Sequence, residues 1–313
     1  MINSELDITY KEITQRFSSE MQSKILYSVV LLRRAERLAT SYDSENGYFL
    51  AFSGGKDSQC LYHIAKLAGV KFQAHMNLTS VDPPEVIRFV RQQYPDVEMI
   101  KPNVSIFNEA IKRKLLPTRK IRWCCSVFKE GAGAGKVTLI GVRHSESTQR
   151  SNRKEVEISG RKFSGTLEEL DAFRVKRNKE KRGRKPSIGI YNIDKESVLG
   201  CIRGKESLLI SPIINWTDDD VWGFLDTLNI RHCELYDRGC KRIGCLGCPE
   251  SSPRQKITEN KRYPHIKRNW LKVIDMIKRS GDGEDIYNKW INGGNFKKYL
   301  REPVSESFIK DDD

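Results

Sequence analysis

The chain reads as an α/β protein with a doubly wound, mostly parallel sheet, extended at both ends by helical segments. Three observations carry that reading. Short apolar runs at Tyr48–Phe52, Val70–Met76, Val97–Ile100 and Val137–Val142 have the length and composition of buried strands. Segments with helical spacing separate them, and strands alternating with helices build parallel sheets. The first strand runs into Ser53-Gly54-Gly55, a turn whose glycines let the backbone bend sharply into the next helix.

Residues 5 to 41 carry apolar side chains, among them Ile25, Val29, Leu32 and Leu38, at roughly helical intervals. Asp57 and Ser58 suit the cap of the helix after the glycine turn, which runs to about Ala68 and stops at Gly69. Pro83-Pro84 opens a further helix over residues 85 to 93. From Ser151 to Ser207 the periodicity fades. The middle of that stretch, FRVKRNKEKRGRKPS, holds eight basic side chains and reads as an exposed insertion. Patterning resumes with a strand at Leu208-Leu209-Ile210. Thr217 and Asp220 then form a capping-box start ahead of Val221, Trp222, Phe224 and Leu225. After Cys248 the chain is basic and helical, with Trp270, Val273 and Ile277 on one stripe, and Asp311-Asp312-Asp313 reads as a frayed tail. The expected organisation is an N-terminal helical extension over 1–45, a nucleotide-type α/β domain over 46–250 with the insertion at about 151–207, and a basic helical extension over 251–313.

With 38% hydrophobic and 31% charged residues, the composition is that of a globular chain and not of a disordered one. The longest apolar stretch, around Ile25 to Leu32, is too short to span a bilayer. MINSELDITYKE lacks a basic start followed by an apolar run, so no signal peptide is expected. A cytoplasmic protein without a membrane partner is the expectation. Lys and Arg number 55 against 41 Asp and Glu, a net charge of +14, which favours anionic partners such as nucleotides or nucleic acid. A generally basic, solvated surface explains the same number, so charge alone does not assign a function.

The segment FSGGKDS, residues 52–58, lies between a strand and a helix. Gly54 and Gly55 let main-chain N–H groups turn towards a ligand, and the helix N-terminus adds a positive dipole. Lys56 supplies a mobile charge and Ser53 and Ser58 supply hydroxyls, completing a phosphate cradle. The spacing is not that of a Walker A loop.

SGGKDS resembles the signature of the PP-loop ATP pyrophosphatase superfamily, whose fold is adenine nucleotide alpha-hydrolase-like. Further blocks make the chain similar to the phosphoadenosine phosphosulfate (PAPS) reductase branch. They are RWCCSVFKE (122–130), GVRHSESTQR (141–150), SPIINWTDDDVWGFL (211–225) and LYDRGCKRIGCLGCP (235–249), in that order. The resemblance implies that Ser53, Gly54, Gly55, Lys56, Asp57 and Ser58 hold the phosphates of ATP or a PAPS-like nucleotide. It implies that Arg143 and Arg150 meet the anionic end, a task that the planar guanidinium fork suits. Lys56, Asp57 and Arg143 are then the expected catalytic groups, with Mg²⁺ bridging the phosphates and Asp57 a candidate ligand. The segment from Asn77 to Asp82 lies where the family recognises adenosine, and only that location carries over.

Cysteines cluster in a chain expected to stay reduced, which points to metal or redox chemistry and not to disulfides. Cys124-Cys125 with Cys245-x-x-Cys248 resembles the set with which reductases of the family that act on adenosine phosphosulfate ligate a [4Fe–4S] cluster. Zinc is served by four thiolates equally well. The adjacent pair, taken with the resemblance, favours the cluster. Cys233, Cys240, Cys245 and Cys248 form a rival, local set, while Cys60 and Cys201 read as packing residues.

Sulfonucleotide reductases of the family place a nucleophilic cysteine on a C-terminal tail. No cysteine follows Cys248 here, so that chemistry would need a substitute thiol such as Cys240 or Cys233. The preferred expectation is cleavage of ATP between its α and β phosphates, adenylating an acceptor such as nucleic acid and coupled to sulfur transfer, with a sulfur-donor or reductant protein as partner. A PAPS or adenosine phosphosulfate reductase with a relocated thiol is the alternative within the family. A non-catalytic nucleotide- or nucleic-acid-binding module is the alternative outside enzymology.

Overall fold

The computed structural model describes residues 11–148, 150–161, 163–173, 202 and 206–301. Expectations for residues 5–10, Arg174–Ser187, Cys201 and Asp311–Asp313 fall outside the described residues. The chain forms two compact units, each assembled from separated segments. The first comprises Met1–Met76, Phe89–Glu98 and Gly133–Arg238; the second comprises Asn77–Arg88, Met99–Ala132 and Gly239–Asp313.

The first unit opens with α1, Ser19–Tyr42, whose Ser18 cap accepts a hydrogen bond from the Met21 amide. Its inward residues Ile25, Val29 and Leu32 are buried, as their spacing requires. Then follow β1 (Tyr48–Ala51), α2 (Lys56–Ala68), β2 (Phe72–Asn77), α3 (Pro84–Gln93) and β3 (Glu98–Ile100). Helix α4, Ile106–Arg113, belongs to the second unit; the first continues with β4 (Val137–Leu139), β5 (Val156–Ile158), β6 (Phe163–Gly165), β7 (Leu208–Ile210) and α5 (Asp218–Thr227). The strands form one sheet in the order β3-β2-β1-β4-β7-β5-β6. β1 runs parallel to β2 and β4, and β4 runs parallel to β7. The chain winds outward from β1 to β3 and returns to place β4 on the other side of β1. That reversal creates a crevice beyond the carboxyl ends of β1 and β4, where doubly wound sheets bind ligands.

The doubly wound, mostly parallel sheet expected from the sequence is therefore present, and three details differ. Helix α2 begins at Lys56 with Gly55 as its N-cap and no side-chain cap. Asp57 and Ser58 lie inside the helix, and the Ser58 hydroxyl donates back to the Gly55 carbonyl at 2.8 Å. β4 ends at Leu139, three residues short of the apolar run that suggested it. Two strands were not visible in the faded stretch. β5 and β6 pair antiparallel with each other, and β5 pairs antiparallel with β7. Each has three residues, too few to show a period.

The second unit has its own core. Val81, Ile106, Leu116, Trp123, Phe128 and Leu246 pack with Trp270, Ile274, Tyr287 and Trp290. The last four belong to the basic helical part after Cys248, which forms α6 (Pro253–Arg262), α7 (Pro264–Ile277) and α8 (Gly283–Ile291). Trp290 donates to the Pro117 carbonyl at 2.8 Å and Tyr263 donates to Glu85 at 3.0 Å, whereas the buried indole N–H groups of Trp123 and Trp270 find no partner among the described residues. Among the described residues no helix is long and apolar enough to cross a membrane.

The capping box read at Thr217 and Asp220 is formed, and Asp220 also binds Lys24 of α1 at 2.8 Å. Partial burial pushes the Asp220 carboxyl up, but its hydrogen bonds to Lys24 and Thr217 outweigh this and hold it below the ordinary aspartate range. Its contribution is therefore complete at neutral pH and is lost as pH falls through the depressed folded-state value. Replacing it (Asp220→Ala) should lower stability by about 1 kcal/mol at pH 7. Urea melts over a pH series should show that gap closing on acidification.

Candidate functional site

The glycine turn stands at the crevice end of β1. Gly54 has φ +71°, a left-handed conformation that glycine enters without strain. The Ser58 hydroxyl accepts from the Ser53 amide at 3.2 Å, closing the turn against the first turn of α2. From the neighbouring strand, β4, the chain passes Gly141, where a Cβ would lie 3.0 Å from the Asp57 carbonyl oxygen. That close approach brings Arg143 to the start of α2.

Arg143 and Lys56 are the buried cations of the site, 2% and 4% exposed. Arg143 donates from Nε to Asp57 at 2.7 Å and from Nη2 to Asp218 at 2.8 Å. Its Nη1 donates to the Ser145 hydroxyl at 2.8 Å. Lys56 Nζ reaches Asp218 at 3.0 Å and Asp57 at 3.4 Å. Two cations thus share two carboxylates, and the desolvation cost of each charge is offset by a partner. Partial burial pushes the Asp218 carboxyl up, but Lys56 and Arg143 outweigh it and hold Asp218 below the usual range. Asp218 is 59% exposed, against 23% for Asp57, so it forms the open side of the network.

The structure thus gathers Ser53, Gly54, Gly55, Lys56, Asp57, Ser58 and Arg143. The Arg150 guanidinium pairs with Glu146 one turn away. Both carboxylate oxygens of Asp57 face cations, Oδ1 towards Arg143 and Oδ2 towards Lys56. Mg²⁺ at Asp57 would share its oxygens with Arg143 and Lys56.

Two members of the site were not singled out in the sequence. Asp218 stood among the acidic residues of a helix start, and Tyr236 stood in a block read for its cysteines. The Tyr236 hydroxyl accepts the Lys56 amide at 2.8 Å, one of the helix N-terminal donors that point at a ligand. Its ring is set edge-on to Trp222 with centroids 5.0 Å apart. Burial holds the phenol well above its ordinary value, so it stays protonated.

The cysteines Cys124, Cys125, Cys245 and Cys248 belong to the second unit. Cys125 accepts a hydrogen bond from Cys124 and one from Arg122 Nη2 at 3.2 Å. The Cys124 bond, with Arg122 beside it, draws the Cys125 thiol well below its usual value, while the same contact drives Cys124 up. Burial raises Cys248, and Cys245 lies 3.3 Å from the Thr79 hydroxyl. Cys245 and Cys248 both lie within electrostatic reach of Cys124. The donor set suits a thiolate-bound centre in kind and number. As arranged it does not close into one, since among the described residues no group of three or more His, Cys, Asp or Glu could hold a metal ion. Of the rival set, Cys233 is fully buried in the first unit, and Cys240 lies 3.8 Å from Arg262 in the second.

An uncharacterized protein of Methanocaldococcus jannaschii is 25% identical over 244 residues, covering 75% of this chain and 48% of its own length. Sulfate adenylyltransferase subunit 2 of Allorhizobium ampelinum is 25% identical over 255 residues, covering 75% of this chain and 71% of its own. Among solved structures, FMN adenylyltransferase of Candida glabrata aligns over 98% of this chain and 88% of its own, at 12% identity and a TM-score of 0.46. The chain spans about half the length of the Methanocaldococcus jannaschii relatives, 48% and 44%. The phosphoadenosine phosphosulfate reductase domain matches residues 47–251, well over half of the chain and all of the glycine turn, and the chain belongs to that family.

Proposed function

We propose that the chain is a PP-loop adenine-nucleotide enzyme that cleaves ATP between its α and β phosphates and adenylates an acceptor such as nucleic acid, in support of sulfur transfer. The observation that carries this reading is the pair of buried cations, Lys56 and Arg143, beside the glycine turn at the sheet's switch point. Their geometry fits a polyanion that takes the place of Asp218, the most exposed carboxylate of the network. The loop amides and Lys56 would grip the β and γ phosphates while Arg143 meets the α phosphate. As the acceptor forms its bond to the α phosphorus, the α–β P–O bond breaks and its electron pair leaves with pyrophosphate. Lys56 and the preorganised amides are aimed at that developing charge. The relative named sulfate adenylyltransferase subunit 2, matched over 75% of this chain, supports the adenylating form of the reading.

The same reading gives Cys124, Cys125, Cys245 and Cys248 to a [4Fe–4S] cluster, which four thiolates suit. When bound, such a cluster would supply redox or sulfur-handling chemistry. Arg122 would orient the Cys125 sulfur.

Incubation with ATP and candidate acceptors should release pyrophosphate. Lys56→Ala should lower that rate by about 10²–10³-fold, the usual scale for losing one electrostatic donor to a transition state. Equal rates in a folded variant would sink the reading, as would turnover of PAPS with no requirement for ATP.

Tyr236→Phe keeps the ring beside Trp222 but releases the Lys56 amide. Calorimetry with pyrophosphate should show binding tightened by roughly 2–10-fold, the worth of one ordinary hydrogen bond. Protein purified without oxygen should be brown with iron and acid-labile sulfide, and Cys124→Ser should lose the colour. A colourless protein with stoichiometric zinc would replace the cluster by the zinc alternative.

A further inference from the structure

The positive charge of the chain is unevenly distributed. Over Asn77–Arg88, Met99–Ala132 and Gly239–Asp313, the second unit carries 25 Lys and Arg against 15 Asp and Glu, a surplus of 10. Helix α7 shows how part of that surplus is arranged. One face buries Ile266, Trp270, Val273, Ile274 and Ile277. The opposite face exposes Arg268, Lys272 and Met276, and the line continues to exposed Arg279 just beyond the helix end. Intervals of four residues keep Arg268, Lys272 and Met276 on one stripe, while Arg279 follows the extended Lys278 beyond the helix end.

The nearby carboxylates are already matched. Asp275 pairs with Lys278 at 2.7 Å and Glu284 pairs with Lys267 at 2.8 Å. Arg268, Lys272 and Arg279 have no carboxylate partner among the described residues. The chain then returns along the end of α7. Lys278 and Leu300 form an antiparallel bridge, the Arg279 amide donates to the Tyr299 carbonyl at 2.8 Å, and the Arg301 amide donates to the Ile277 carbonyl at 2.9 Å. These bonds fix exposed Lys297, Lys298 and Arg301 beside Arg279. The helix dipole accounts for Lys278 and Arg279 just past the C-terminus of α7, but it does not account for Arg268, Lys272 or the returning segment.

We propose that this stripe and the returning segment form a docking surface for a nucleic-acid strand, held through its phosphodiester charges. The proposal rests on the reading of nucleic acid as acceptor and adds the surface that would hold it. From Arg268 to Met276 the helical part of the stripe alone is about 12 Å long at 1.5 Å per residue, and Arg279 with the returning segment extends it, more than a single phosphate or sulfate can engage. Several cations spread along one face suit a partner with repeated charges better than a single small anion. An anionic membrane is the poorer match. A surface-lying helix inserts an apolar face, and the apolar face of α7 is spent on the core, leaving Met276 as the exposed apolar side chain of the stripe.

The test is fluorescence anisotropy of the full chain with labelled single-stranded DNA, duplex DNA and an RNA hairpin, titrated at several salt concentrations. Wild type and the triple variant Arg268→Gln, Lys272→Gln, Arg279→Gln are compared, with thermal melts confirming that the variant is folded. The slope of log K against log salt should fall by about 2 to 3, from roughly 0.7–0.9 per phosphate contact. Affinity at low salt should fall at least tenfold, while pyrophosphate binding at the glycine turn should not change. The three nucleic-acid arms identify which strand the surface takes. An unchanged slope and affinity in the folded variant would overturn the proposal. So would binding only to phosphatidylserine–phosphatidylcholine vesicles, or no nucleic-acid binding by wild type. If nucleic acid binds as described but wild type releases no pyrophosphate from ATP, the adenylation reading fails and the surface stands.

Discussion

Lys56 and Arg143 are charged side chains held almost entirely out of water, and much of the first unit is arranged to make that tolerable. An isolated ion at such depth would cost several kcal/mol. Here each cation meets both Asp57 and Asp218, and the four groups come from three different places in the chain. Lys56 and Asp57 start α2, Arg143 follows β4, and Asp218 starts α5. Their meeting depends on β1 and β4 being sheet neighbours and on the missing side chain at Gly141. The sheet order is thus a condition for the charge network, and the network ties together the elements that the sheet order brings near.

Tyr236 adds a second layer to this arrangement. A helix start beside a glycine turn leaves amides that seek an acceptor. In this state one of them, the Lys56 amide, is satisfied by a phenol. The site therefore satisfies its donors internally with groups that chemically resemble a ligand: a hydroxyl at the amide and carboxylates at the cations.

Much of this was legible before any coordinates. The glycine turn announced itself because glycines, lysine and hydroxyls fell between a strand-like and a helix-like run, and the buried strands announced themselves by composition. The capping box at Thr217 was readable for the same local reason. What stayed hidden required long-range information. Asp218 looked like a helix-start acid until Arg143, 75 positions earlier, was seen bonded to it. Tyr236 lies 180 positions from the amide it caps. β5 and β6 escaped because three residues cannot display a period.

The interleaving of the two units has a consequence for how the chain acquires its shape. The polypeptide changes unit five times, at Met76, Arg88, Glu98, Ala132 and Arg238. During synthesis, β1 and α2 emerge well before β4 and β7, the strands that complete the parallel core beside β1. The core around Trp123 likewise stays open until Trp270 and Trp290 have left the ribosome. Such contacts, distant along the chain, make assembly slow and leave apolar surface uncovered in the interim. No single cut can release either unit whole, so the two form one inheritance: a break in any connecting segment reaches both.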